Sequence, residues 1–131
     1  MNNSAGKSAL GLDANVAAGL CYLPICTINL IMSIIVLVTD KTNKLARFHA
    51  FQSLLLLGAC LIVEIPAYFL MVILFVMNST ITSILGGLFG LVLGVFGLAA
   101  LVFMIIAMIK AFQGEVYKIP FIGDMADKYS N

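Results

Sequence analysis

Charge is what this chain has least of. Only 10% of its 131 residues are Asp, Glu, Lys or Arg, while 63% are hydrophobic; soluble domains carry about 25% charged residues. A soluble core of this size leaves too much of its surface exposed to hide so many apolar side chains, so lipid is the solvent the composition calls for. The net charge of +1 and the lack of any basic domain exclude nucleic acid as the main partner. Histidine occurs once and cysteine three times. Cys21, Cys26 and Cys60 all lie in apolar stretches, where free cysteine behaves as a small hydrophobe. That leaves no zinc-ligand pattern, no disulfide framework and no expected cofactor or metal. No nucleophile stands beside a base with an orienting third group, and no glycine loop opens a phosphate-binding helix, so the chain is expected not to be an enzyme.

What it has in quantity is long apolar runs, expected to form an all-α, integral membrane helical bundle of three transmembrane helices in one domain over 13–122. Residues 1–12 are small and polar and are expected to be a disordered tail. A single lysine before an overlong apolar run, with no small-residue cleavage site, is not expected to be a secretory leader. Asp13 is placed to cap the next helix. The spans are expected at about 16–38, 54–77 and 81–109, and 123–131 form a C-terminal tail. Pro24 predicts a kink in the first span near Tyr22.

The second span continues without a break from a basic, amphipathic interfacial segment, Lys44-Leu-Ala-Arg-Phe-His-Ala-Phe-Gln-Ser53. Leu54 to Met77 holds one ionisable group, Glu64, and at about 1.5 Å per residue it covers roughly 36 Å, enough for a hydrocarbon core about 30 Å thick. Polar residues gather on two helix faces. On the first span they are Tyr22, Cys26, Asn29 and Ser33. On the second, taking about 100° per residue, Gln52, Ser53, Cys60 and Glu64 fall within about 60° of His49, with Tyr68 just beyond.

Polar stripes on membrane helices face protein, so these join the spans or line a path for a solute. A mid-membrane carboxylate costs on the order of 2.5–3.5 kcal/mol. Glu64 is therefore either protonated and bonded to Asn29, Ser33 or Tyr68, or set in a hydrated, proton-linked cavity. The third span carries Gly86, Gly87, Gly90, Gly94 and Gly97. Their small-xxx-small steps let another backbone approach closely, from this chain or from a second copy.

With three spans, Lys41, Lys44, Arg47, Lys110, Lys118 and Lys128 share one side and Lys7 stands alone on the other. The positive-inside rule then puts the C-terminus in the cytoplasm and the N-terminus outside, in what is expected to be a prokaryotic plasma (inner) membrane. On the cytoplasmic side the Arg47 region meets the end of the third span. Arg47 is expected to pair with Glu115 or a lipid phosphate, and His49 with Gln113 or the Tyr117 hydroxyl. Such a cluster serves as a clasp between helix ends, as a headgroup or partner-protein site, or as a proton relay. Gly114 suits a helix C-terminus, Lys110 favours the same end, and Pro120 predicts no helix beyond it.

Three stretches carry a family resemblance: Leu12-Asp-Ala-Asn-Val-Ala-Ala-Gly-Leu-Cys-Tyr22, Arg47-Phe-His-Ala-Phe-Gln-Ser53 and Phe112-Gln-Gly-Glu-Val-Tyr-Lys-Ile-Pro-Phe-Ile-Gly-Asp124. Over about residues 11–128 the chain resembles small prokaryotic membrane proteins of uncharacterised function, related to the Tic-type subunit of the chloroplast inner-envelope import translocon. By that resemblance Arg47, His49, Gln52, Gln113, Gly114, Tyr117, Lys118 and Pro120 are motif positions; Glu64 is not. The resemblance implies a role in translocation or a channel, although the chloroplast protein has four spans where this chain reads as three. Three roles follow: a non-enzymatic subunit or scaffold of a membrane complex, linked to protein translocation; an oligomeric channel or proton-linked transporter using Glu64; or a lipid-interacting protein. The partners expected are the bilayer and either other membrane subunits or copies of itself.

Overall fold

The computed structural model describes residues 6–130. Among them the chain is all-helical: α1 (Ala14–Leu20), α2 (Cys26–Thr39), α3 (Lys44–Val76), α4 (Thr80–Phe112) and α5 (Ile122–Ser130). Two helices, not three, are long and apolar enough to cross a membrane. They are α3 and α4, of 33 residues each, or about 50 Å at 1.5 Å per residue.

Local chemistry fixes the ends of this pair. The Asn43 side chain caps α3 by accepting from the Ala46 N–H at 3.3 Å, and the helix runs unbroken through Pro66. After a turn in which Asn78 takes φ 48°, Ser79 opens α4 with a capping box closed by Thr82. At the far end Gly114 adopts φ 75°. Its N–H reaches the Ala111 carbonyl and that of Glu115 the Lys110 carbonyl, each at 2.9 Å. This is a Schellman ending, which needs a residue free of the Cβ penalty at Gly114.

The hairpin packs in antiparallel register through glycine. A methyl group on Gly86 would lie 3.3 Å from the Phe75 ring, one on Gly90 3.2 Å from Met71 Sδ, and one on Gly97 3.3 Å from Glu64 Oε1. Gly87 and Gly94 face outward, with nothing within 4 Å of a Cβ placed there. The expected glycine stripe therefore divides into an inner and an outer face.

The expected first span is the main correction. Around Pro24 the chain does not kink but reverses, leaving a seven-residue α1 and a 14-residue α2. Proline removes a backbone donor and drives the preceding residue out of the helical region. Helix α2 covers only about 21 Å, less than the hydrocarbon thickness of about 30 Å. Helix α1 turns back toward the base of the hairpin, where Asn15 Nδ2 donates to the Phe112 carbonyl at 2.9 Å. There Gly19 lies so close to the Phe112 ring that a Cβ would come within 2.6 Å of it.

Asp13 occupies the N-cap position of α1 with extended backbone but makes no capping bond through its side chain. Of the expected N-terminal tail, residues 1–5 lie outside the described residues. The rest folds back through a bridge between Lys7 and Asp13, and the Ala9 N–H donates to Asp40 Oδ2 at 3.3 Å.

The C-terminal tail is also corrected, because residues 122–130 form α5 against the start of α3. Lys118 ties it down through Asp124 at 3.3 Å and Asp127 at 2.8 Å. Gly123 passes so near the Lys118 backbone that a Cβ would lie 2.6 Å from its Cα. Both described ends of the chain, the 40–43 loop and the foot of the hairpin thus form one compact head. Above it α3 and α4 turn their apolar side chains outward.

In a cysteine-free background, Leu10→Cys and Tyr129→Cys are expected to react with an impermeant maleimide from one face of the membrane, and Asn78→Cys from the other. Labelling of the two ends from opposite faces would restore the three-span arrangement.

Candidate functional site

At the centre of the head, Tyr22, His49 and Gln52 are fully buried. The reversal after α1 delivers Tyr22, and the first turns of α3 deliver the other two. Gly114 releases the chain from α4 so that residues 115–119 run extended past them. That segment has no helix or strand to satisfy its backbone, and buried backbone groups require partners. The α3 side chains supply them.

The bonds determine one another. The Glu115 carbonyl can only accept, so His49 Nε2, 2.9 Å away, carries the proton. In the neutral ring His49 Nδ1 then accepts from the Tyr22 hydroxyl at 3.1 Å. That hydroxyl accepts from Gln52 Nε2 at 2.9 Å. The second hydrogen on Gln52 Nε2 goes to the Tyr117 carbonyl at 2.9 Å, and Gln52 Oε1 accepts from the Ile119 N–H at 3.1 Å. Each polar side-chain atom in the chain of bonds is used. The His49 ring also meets Tyr22 and Phe48 edge-on, at centroid separations of 5.6 and 5.1 Å.

A clasp between α3 and the strand-like exit from α4 therefore exists, but through partners other than those expected. His49 bonds neither Gln113 nor the Tyr117 hydroxyl. Gln113 closes α4 through its own N–H, Pro120 accepts from the Ile122 N–H at 2.8 Å, and the Tyr117 ring packs on the core near Leu56 and Ile119. Arg47 does not pair with Glu115. Its guanidinium caps the C-terminal carbonyls of α2, Leu37 at 3.3 Å and Asp40 at 3.1 Å, and reaches the Ser130 carbonyl at 3.3 Å. Glu115 pairs instead with Lys110 at 2.7 Å. The hydrogen bond that the Lys118 ammonium donates to Asp127, with Asp124 beside it, raises its pKa above the ordinary value. Lys41, Lys44 and Arg47 line an open cavity of about 420 Å³ at the edge of the head.

Above the clasp the two polar stripes meet only in part. Ser33 and Ser53 bond through their hydroxyls at 2.5 Å. Asn29 is buried with Oδ1 unpartnered. Cys60 is half-buried, while Glu64 and Tyr68 are exposed on α3. None of Asn29, Ser33 or Tyr68 bonds Glu64. Among the described residues no group of three His, Cys, Asp or Glu side chains is placed to hold a metal ion.

Sequence reasoning placed Tyr22 with the membrane stripe and missed its place in the clasp. The signal was present in Pro24, whose chain reversal lowers Tyr22 to the level of His49. Asp40, which ties the N-terminal residues to the loop, was missed as well. A short polar loop residue carries no pattern that reveals a buried double acceptor.

Gln52→Ala strands the buried Ile119 N–H, at about 1–3 kcal/mol for an unsatisfied group, and frees the half-buried Tyr117 carbonyl. A clear fall in the thermal unfolding midpoint in detergent is expected. The paired exchange Arg47→Glu with Glu115→Arg is expected to be no more stable than either single change.

The profile of the magnetosome magnetite crystal formation protein family matches residues 13–126. The chain is 34% identical over 125 residues to the UPF0132 membrane protein MJ1443 of Methanocaldococcus jannaschii, covering 95% of this chain and 96% of the relative. It is 32% identical to the UPF0132 membrane protein MJ1527 of the same organism, over 92% of this chain and 73% of the relative. A UPF0132 membrane protein of Archaeoglobus fulgidus shares 27% identity over 89% and 95% of the two chains. No solved structure matches the chain. The matched stretch includes α1, the clasp, the whole hairpin and the start of α5, and the chain belongs to the magnetosome magnetite crystal formation protein family.

Proposed function

We propose that this membrane protein is a non-enzymatic subunit that scaffolds a membrane assembly, using the outer face of its α3–α4 hairpin. One observation carries the reading: the clasp spends its polar groups on the protein's own backbone, so what the chain offers outward is apolar helix. On α4 that surface carries Gly87 and Gly94, where no atom lies within 4 Å of a Cβ, on one stripe with the exposed Leu91 and Leu98. Small residues in such a position let a neighbouring helix approach closely, and dispersion contacts then hold it.

The assembly sits in a prokaryotic plasma membrane with the head on the cytoplasmic face. All seven Lys and Arg residues lie at the head end of the hairpin, which supports that orientation by the positive-inside rule. With two crossings both ends of the chain are cytoplasmic.

The finer reading, protein translocation, rests on the resemblance of the Arg47–Ser53 and Phe112–Asp124 stretches to a translocon subunit. The family description names magnetite crystal formation, and a scaffold that organises a membrane patch is the part of that role this chain's surfaces support. Exposure of Glu64 favours a second reading, an oligomeric proton-linked channel. The cavity edged by Lys41, Lys44 and Arg47 favours recognition of anionic lipid headgroups at the rim.

Cross-linking followed by purification in mild detergent is expected to yield a defined complex with other membrane proteins. Gly87→Leu with Gly94→Leu should release that complex while leaving the unfolding midpoint of the subunit unchanged. A symmetric homo-oligomer whose proton flux in liposomes stops on Glu64→Gln would establish the channel instead.

A further inference from the structure

The reversal at Pro24 occurs beside the apolar part of the hairpin, and directly at it lies a cavity of about 270 Å³. Leu23, Pro24 and Cys26 at the reversal form one side. Leu56, Leu57 and Cys60 of α3 and Ala100, Leu101 and Met104 of α4 form the others. Irregular backbone at membrane depth persists only where protein buries it or where it lines a cavity, and Leu23, Pro24 and Cys26 line one here. The walls are almost entirely apolar.

Two polar groups break that lining, and each presents an oxygen that accepts hydrogen bonds. Asn29 is 4% exposed and its Oδ1 has no partner, an arrangement that costs about 1–3 kcal/mol if left so. Glu64 lies on the cavity wall with Gly97 opposite, where the missing side chain makes room for its carboxylate, 3.3 Å from the site of a Cβ. No hydrogen bond or ion pair joins Glu64 to another described residue. No Lys, Arg or His lines the cavity. Ser53, the remaining polar residue there, already donates to the Ala50 carbonyl and is bonded to Ser33.

We infer that this cavity binds a single-chain amphiphile with a cationic, hydrogen-bond-donating head, of the alkylammonium class. The ammonium donates to Asn29 Oδ1 and to the Glu64 carboxylate, and the chain lies along Leu57, Leu101 and Met104. The volume sits just below the range of about 300–1,000 Å³ usual for small-molecule pockets, which fits one slender chain and excludes a two-chain lipid. An acidic head would meet the like charge of the Glu64 carboxylate with no Lys, Arg or His on the wall to offset it. A neutral alcohol has one donor to offer where the site has two places for one. The binding site does not depend on the assembly reading, since the cavity lies within one chain and the Gly87 and Gly94 face is on the outside.

The chain has no tryptophan, so Leu101→Trp provides a single fluorophore on the cavity wall. In phosphatidylcholine vesicles, terminally brominated dodecylamine is expected to quench it saturably, at concentrations at least about tenfold below those of the brominated alcohol or carboxylate. Adding Glu64→Gln, a change at an exposed position that leaves the fold intact, should remove the preference for the amine. Asn29→Ala should weaken amine and alcohol alike. Linear quenching equal for all three amphiphiles means simple partitioning into lipid and overturns the site. Saturable quenching unaffected by Glu64→Gln overturns the cationic class.

Discussion

A segment with neither helix nor sheet to pair with, buried at Ile119 and half-buried at Tyr117, is the constraint on which the rest of this structure depends. Residues 115–119 leave α4 and cross the foot of α3, and their carbonyls and N–H groups have no regular neighbour. A buried amide left unpaired costs about as much as several net hydrogen bonds contribute. His49 and Gln52 remove that cost because their side chains reach backbone atoms at Glu115, Tyr117 and Ile119 within 3.1 Å. Tyr22 joins them through one hydroxyl that both accepts and donates. Since each atom in the series has only one role open to it, the head has one arrangement available, with a neutral His49 protonated at Nε2.

That fixed head explains how a short chain can carry an apolar helix too short to cross a membrane. A 14-residue helix ending at depth would leave carbonyls and N–H groups in hydrocarbon, where water cannot satisfy them. Here α2 is covered by α3, its last carbonyls are capped by Arg47, and its first turn opens onto a cavity with polar acceptors on its wall. The reversal also returns Lys7 to the side that holds the other basic residues.

Much of this was legible in the sequence, and the parts that were not have physical reasons. The two long spans, the cap at Gly114, the interhelical glycines and the convergence of His49 and Gln52 on the stretch after α4 all follow from hydropathy, turn chemistry and spacing. The identity of the bonds did not follow. Side chains were matched to side chains, Arg47 with Glu115, because charge is visible in a sequence and the position of a carbonyl is not. The first span was read as one helix because hydropathy is the same whether a chain continues or doubles back; only Pro24 marked the place, and proline alone does not distinguish a kink from a reversal. Helix α5 was hidden because Pro120 ended the helical pattern, and its anchoring depends on Lys118 meeting Asp124 and Asp127 across a turn created by Phe121 at φ 66°.

Head and hairpin are held by different forces. Directional bonds between buried groups fix the head, and each is costly to break. Beyond Leu56 the two long helices touch through Gly86, Gly90 and Gly97, by dispersion contacts individually worth only about 0.1–0.2 kcal/mol per atom pair. In lipid such contacts compete with equally apolar tails, so no hydrophobic term favours α3 against α4 over α4 against another helix. The hairpin surface is therefore the part of the molecule that neighbours can engage at little cost, while the head keeps its shape. Beyond Leu56, Glu64 is the one charged group on that surface, so it is where contact with a neighbour departs from dispersion alone.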